Sequence, residues 1–192
     1  KSLNSREIIC GYAEILKSSL LDSIKKFKYL DNNLNSILKL KQPFIENAIL
    51  NSCNLKKMVV QKDEDEKNLR KILNLGHTFA HAFESCLGFS SKLNHGEAVI
   101  IGITIALEFS YQIGLIKNKP YNFIKKHLKK IPLKKNFKSM FKETDVGKII
   151  SFMKSDKKNT SKKINIILIK DFGKIKTNFQ FDQNTLKKFL IS

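Results

Sequence analysis

Apolar residues recur at three- and four-residue spacing through most of this chain, a pattern that predicts helices joined by short polar connections. The first predicted helix covers residues 11 to 31, GYAEILKSSLLDSIKKFKYLD, and the second about 34 to 51, with Pro43 expected to break it or to open a new first turn. A third covers 66 to 84, preceded by an acidic cluster from Asp63 to Glu66 that would suit the positive end of a helix dipole, with Gly88 as its C-cap. Residues 97 to 114, EAVIIGITIALEFSYQIG, form the most apolar segment and are expected at the centre of the core; Glu108 and Gln112 interrupt it too early for a membrane span. Pro120 opens a further helix through Lys130, Pro132 closes that region, and Thr144 or Asp145 caps a short helix ending near Lys154. The period then changes. KINIILIKDFGKIKTNF is rich in β-branched residues around a turn signal at Asp171 to Gly173, so it predicts a small hairpin, followed by a last helix over about 184 to 190. The fold class is mainly α with a small β-hairpin near the C-terminus.

The polar positions of the third helix carry the chemistry. On an ideal helix Glu66, Arg70, Asn74, His77, His81 and Glu84 fall within an arc of roughly 80°, and Leu69, Ile72, Leu73, Leu75, Phe79, Ala80 and Phe83 take the other side. A merely solvated face in this chain should be mostly lysine, yet only Lys67, Asn68 and Lys71 flank the arc. His77 and His81 are four apart, close enough to reach one site, but the residues between them are TFA, so this is not an HExxH zinc motif. His95 lies in KLNHGEAV at a loop-to-helix boundary, where Gly96 permits tight backbone geometry and Glu97 falls in the first turn; a capping role explains the pair equally well. Glu14 and Lys17 share a face of the first helix, as an ordinary surface pair would. His127, in a lysine-rich helix, is expected at the surface. A carboxylate and two imidazoles with a free position make a common catalytic zinc shell, so Glu14, His95 and either His77 or His81 could hold a metal, with Lys17, Lys56 and Arg70 available to an anionic substrate.

Composition changes this picture little. The chain has 36 Lys plus Arg against 17 Asp plus Glu, for a net charge of +19, which would attract nucleic acid, anionic lipid or phosphorylated metabolites. The excess is lysine spread along the chain; arginine, the usual residue for bidentate recognition, occurs only at Arg6 and Arg70. The 14 Phe, four Tyr and no Trp sit mostly in helical apolar patterns and read as core rather than as base-stacking platforms, so no nucleic-acid partner is expected. Cys10, Cys53 and Cys86 are odd in number and widely spaced, as free thiols in a reducing compartment would be. Export and membrane-spanning signals are lacking, which leaves the cytoplasm as the expected location and no membrane partner. The chain opens on Lys1 within a polar stretch, as though at an internal boundary.

REIICGYAEILK, KKMVVQKDEDEKNLRKILNLGHTFAHAFES and LNHGEAVIIGITIALEFSYQIGL resemble, in this order, the C-terminal part of the 3-dehydroquinate synthase family, and MKSDKKNTSKKINIILIKDFGKI is similar to that family's closing segment. The resemblance implies a helical metal- and substrate-binding domain over 1–192, partnered by an NAD-binding domain that this chain lacks, in an enzyme that is a homodimer when full-length. It implies Glu14, His77 and His95 as ligands of Zn2+ or Co2+. His81 then matches a histidine associated with the substrate phosphate and proton transfer, and Glu66 an acid for proton transfer. Lys17, Lys56, Arg70 and Asn74 match substrate-binding positions, as does Lys157, preferred over Lys158. The implied substrate is a phosphorylated sugar acid: 3-deoxy-D-arabino-heptulosonate 7-phosphate becomes 3-dehydroquinate and phosphate, in the shikimate pathway, with NAD+ used and regenerated in one turnover. A related sugar phosphate cyclase and a noncatalytic helical scaffold are the alternatives. The fragment alone is expected to be inactive.

Overall fold

The computed structural model describes residues 3–155 and 163–192. Helices α1 (Ser5–Asp22) and α2 (Ile24–Asn32) replace the single run expected over 11–31. The break falls at Ser23, whose backbone is extended and whose side chain caps α2 by accepting from the Lys26 amide. After the short α3 (Leu34–Leu38), Pro43 stands as the N-cap of α4 (Phe44–Lys62), the new start expected of it. A 3-10 helix (Leu69–Asn74) leads to α5 (His77–Cys86), then α6 (His95–Gln112), α7 (Asn118–Lys130), α8 (Phe137–Met140) and α9 (Glu143–Ser155). The antiparallel hairpin β1 (Ile164–Asp171) and β2 (Lys174–Phe181) precedes α10 (Gln183–Ile191).

The core forms around α6, as its continuous apolar character requires. Val99, Ile103, Ala106, Leu107 and Phe109 are all buried, and burial of each large aliphatic or aromatic side chain is worth about 1.5–3 kcal/mol. α1, α5 and β1 all pack on α6, and α9 covers the far side of α5. β1 is buried almost continuously, and its Ile169 amide donates to the buried Ser110 hydroxyl of α6 at 3.0 Å. β2 alternates, placing Phe179 and Phe181 on the inner side; Phe181 and Phe189 both meet the Phe109 ring. At the hairpin turn the Gly173 amide donates to the Leu20 carbonyl of α1 at 2.9 Å. Among the described residues, no helix is long and apolar enough to cross a membrane.

Two further expectations fail here. Residues 66–84 are not one helix. Glu66 has φ of +57°, Leu75 leaves helical geometry at φ −54° and ψ 125°, and Gly76 at φ +79° turns the chain into α5. The acidic cluster accordingly closes α4 instead of opening a helix: Asp63 is the C-cap, and its carboxylate accepts from the amides of Lys67, Asn68 and Arg70. Short polar side chains that offer the backbone such an alternative compete with helix, which is why periodicity alone overran this segment. His127 is the second correction. It is fully buried, with Nε2 2.6 Å from the Tyr12 hydroxyl and Nδ1 2.8 Å from Asp31, because the lysines beside it turn outward while its own helical face meets α1 and α2.

Candidate functional site

Three elements meet where α1, the start of α5 and the start of α6 converge, and glycine makes their approach possible. A Cβ on Gly96 would lie 2.3 Å from the Cys10 Cα, and one on Gly102 would lie 2.2 Å from the Gly76 carbonyl oxygen. Side chains at these places would force backbones apart, so α1 and the entry to α5 can seat on α6 only because both are glycine. A part-buried ion cluster locks the first of these seams. Glu97, the N3 residue of α6, accepts from the Asn94 amide at 2.8 Å in a capping box, and takes Arg6 Nε and Nη2 at 2.8 and 2.6 Å and Lys135 Nζ at 2.9 Å. Burial opposes its ionisation, but Arg6 and the other donors outweigh it and hold its pKa at about 2.

Glu14, His77 and His95 are brought together by that convergence, with one donor atom from each lying within 4.8 Å of the others. Nδ1 of His77 is 3.2 Å from the Leu75 carbonyl, a geometry that puts its proton there and leaves the Nε2 lone pair facing Glu14, 3.8 Å away. His77 is pressed down to a pKa of about 4, by burial first and then by the Lys17 cation, so it is a neutral donor at neutral pH. Burial would raise the Glu14 carboxyl, but Lys56 and Lys17 override it and bring it to about 2. Their ammonium groups stand 2.7 and 2.9 Å from its two oxygens. Lys17, itself buried, also reaches within 3.5 Å of His77 Nε2, so a cation already bridges the carboxylate and the imidazole.

One carboxylate oxygen and two imidazole nitrogens suit Zn2+ or Co2+. A tetrahedral shell with bonds of about 2.0–2.1 Å has donor-to-donor edges of about 3.4 Å, within side-chain adjustment of the separation observed. The residues fit such an ion.

His81, exposed one turn along α5, has its ring 5.5 Å from that of His77 and 6.1 Å from that of His95. It also belongs to a second donor group with Glu84 and His95, so proximity alone leaves two ways of using the histidines. Glu66 and Asn74 form another set on the connection into α5: Asn74 Nδ2 donates to Glu66 Oε1 at 2.7 Å. Arg70 lies on the same connection with its guanidinium donating to the Glu64 carbonyl at 2.6 Å, turned to its own loop. Lys157 and Lys158 lie outside the described residues. Sequence reasoning missed the Arg6–Glu97–Lys135 cluster, although the rarity of arginine and the Asn-x-x-Glu capping signal could have pointed to two of its members.

In fold this chain is like two solved synthases: 2-epi-5-epi-valiolone synthase from Streptomyces hygroscopicus superposes with a TM-score of 0.79 at 19% identity, over 99% of this chain and 52% of that one, in a structure with NAD+ and Zn2+ bound. A 2-deoxy-scyllo-inosose synthase, complexed with carbaglucose-6-phosphate, NAD+ and Co2+, gives 0.78 at 21% identity over 98% and 53%. Residues 11–159 match the family described as 3-dehydroquinate synthase C-terminal, and the chain belongs to that family. The 3-dehydroquinate synthase of Pelagibacter ubique is 47% identical over 189 residues, 98% of this chain and 51% of its own length; that of Thermodesulfovibrio yellowstonii is 36% identical over 190 residues, 99% and 52%. The chain thus spans about half the length of the curated relatives it matches.

Proposed function

We propose that this chain is the metal- and substrate-binding half of a 3-dehydroquinate synthase, acting on 3-deoxy-D-arabino-heptulosonate 7-phosphate to give 3-dehydroquinate and phosphate. The observation that carries the reading is the meeting of Glu14, His77 and His95 beside two lysines, within the matched family segment. Glu14, His77 and His95 would hold the ion. Bound there, Zn2+ or Co2+ would polarise the substrate's hydroxyl oxygens, while NAD+ would take up and return a hydride. Lys17 and Lys56 would orient the carboxylate or phosphate of the substrate, where fixed cations act strongly because water is partly excluded. Exposed and next to His77, His81 would hold a proton at the departing phosphate. Glu66, steadied by Asn74, would move a proton, and Arg70 would bind an anionic group on leaving the Glu64 carbonyl. Lys157 belongs to the same reading as a substrate lysine.

The reading includes an NAD-binding domain of the same enzyme, a homodimer as the full-length form, and a cytoplasmic location suited to three free cysteines. It is tested by phosphate release from the heptulosonate phosphate with NAD+ and Zn2+, using the full-length protein, with a heptulose phosphate and glucose 6-phosphate as competing substrates. Turnover on the heptulosonate phosphate that is lost in His77→Ala is expected, with the 192-residue chain alone inactive. Turnover on either other sugar but not on the heptulosonate would overturn the substrate assignment.

A further inference from the structure

Glu84 has no place in the chemistry so far, yet it lies two turns along α5 from His77 and meets the other histidine. Its carboxylate faces His95 Nδ1 almost symmetrically, at 3.1 Å from one oxygen and 3.2 Å from the other. The glutamate side chain is 13% exposed and the histidine 51%. That difference matters. His95 is the least enclosed of the three donors and the first residue of its helix, so packing alone leaves its ring free to rotate or to take either tautomer. His77 needs no such partner, because the Leu75 carbonyl already fixes its Nδ1.

We infer that Glu84 is a positioning residue for the metal centre: it accepts the Nδ1 proton of His95, fixes the tautomer in which Nε2 carries the lone pair, and holds the ring toward Glu14 and His77. A carboxylate behind a ligating imidazole also makes the imidazole a stronger donor, and loss of such a partner weakens metal binding by about 10–100-fold. The two histidines would thus be oriented by different means, a backbone carbonyl for the buried one and a carboxylate for the exposed one. This inference rests on the proposed metal site.

The same atoms allow a rival arrangement, in which Glu84 joins His81 and His95 as a ligand of a second ion. Titration of the metal-free full chain with Co2+, followed by visible absorption and by competition with a chelator, separates the possibilities. One Co2+ per chain is expected, bound about 10–100-fold more weakly in Glu84→Ala, with an altered absorption band and an unchanged circular dichroism spectrum. Glu84→Gln, which keeps an acceptor for Nδ1, should recover most of the affinity and the wild-type band. Two Co2+ per chain, with one lost in Glu84→Ala, would overturn the positioning role in favour of ligation. Equal affinity and identical bands in wild type and Glu84→Ala would overturn it while leaving the metal site standing. Failure of wild type to bind Co2+, with His77→Ala behaving identically, would remove the metal site itself and this inference with it.

Discussion

Arg6 grips both carboxylate oxygens of Glu97, and the next residue back from that glutamate, Gly96, lies against the backbone of Cys10. One ion pair and one missing side chain therefore fix the crossing of α1 and α6, the helices that supply Glu14 and His95. Gly96→Ala should be the more damaging change, because its Cβ meets backbone atoms that cannot rotate away. A loss of about 1–3 kcal/mol or more is expected, read as a fall in Tm together with weaker Zn2+ binding.

Arg6→Ala should cost less, about 1–2 kcal/mol. Glu97 keeps Lys135 and the Asn94 amide, and the guanidinium is partly solvated, so screening discounts the pair. Thermal melts of the two variants in parallel check the order.

His77→Ala removes a donor that is already neutral and already oriented. Zn2+ affinity measured by chelator competition should fall by more than the about 10–100-fold that an outer partner is worth. A smaller loss would mean that His81 takes its place.

Lys17→Met should have the opposite sign for metal. The Lys17 ammonium occupies both Glu14 and His77, so it competes with a divalent ion for the same two acceptors. Removing the charge while keeping the buried stem should tighten Co2+ binding several-fold in a direct titration, and should weaken binding of the phosphorylated substrate.

Stability should fall as pH drops below about 6.5. Burial lowers the pKa of His127 despite Asp31, so the unfolded chain binds its proton first; the stabilisation is present above the ordinary histidine value and is lost as pH falls through the folded one. His77, at about 4, contributes in the same sense, and Asp31, whose burial is outweighed by Lys130 and His127 so that it is held low, extends the loss below the ordinary carboxyl value. The groups facing His127 are Tyr12 and Asp31, with Lys130 donating to the same Asp31 oxygen that His127 meets. His127→Gln should show a smaller drop in Tm between pH 7.5 and pH 5 than the unmodified protein, as differential scanning calorimetry at the two pH values would measure.

Local pattern determined a good deal. Periodicity located α6 at the centre, the β-branched tail located the hairpin, and Pro43 marked the start of α4. The sharing of one helix by His77, His81 and Glu84 was also legible, because histidine and glutamate stood out on a background of lysine. What a helical wheel could not represent was the break at Glu66 to Gly76. There Asp63 captures three backbone amides and Gly76 takes a left-handed turn, so the path of the chain depends on side-chain-to-backbone bonds and not on apolar spacing. Nor could a one-dimensional pattern distinguish the buried His127 from a surface histidine, since its partners Tyr12 and Asp31 lie 115 and 96 residues away. The sequence by itself determined the apolar centre, the hairpin and which residue types could bind an anion or a metal. Only the tertiary structure decided which of them meet: Gly96 and Gly102 bring three backbones within reach, and that approach sets Glu14, His77 and His95 around one point with Glu84 behind the last of them.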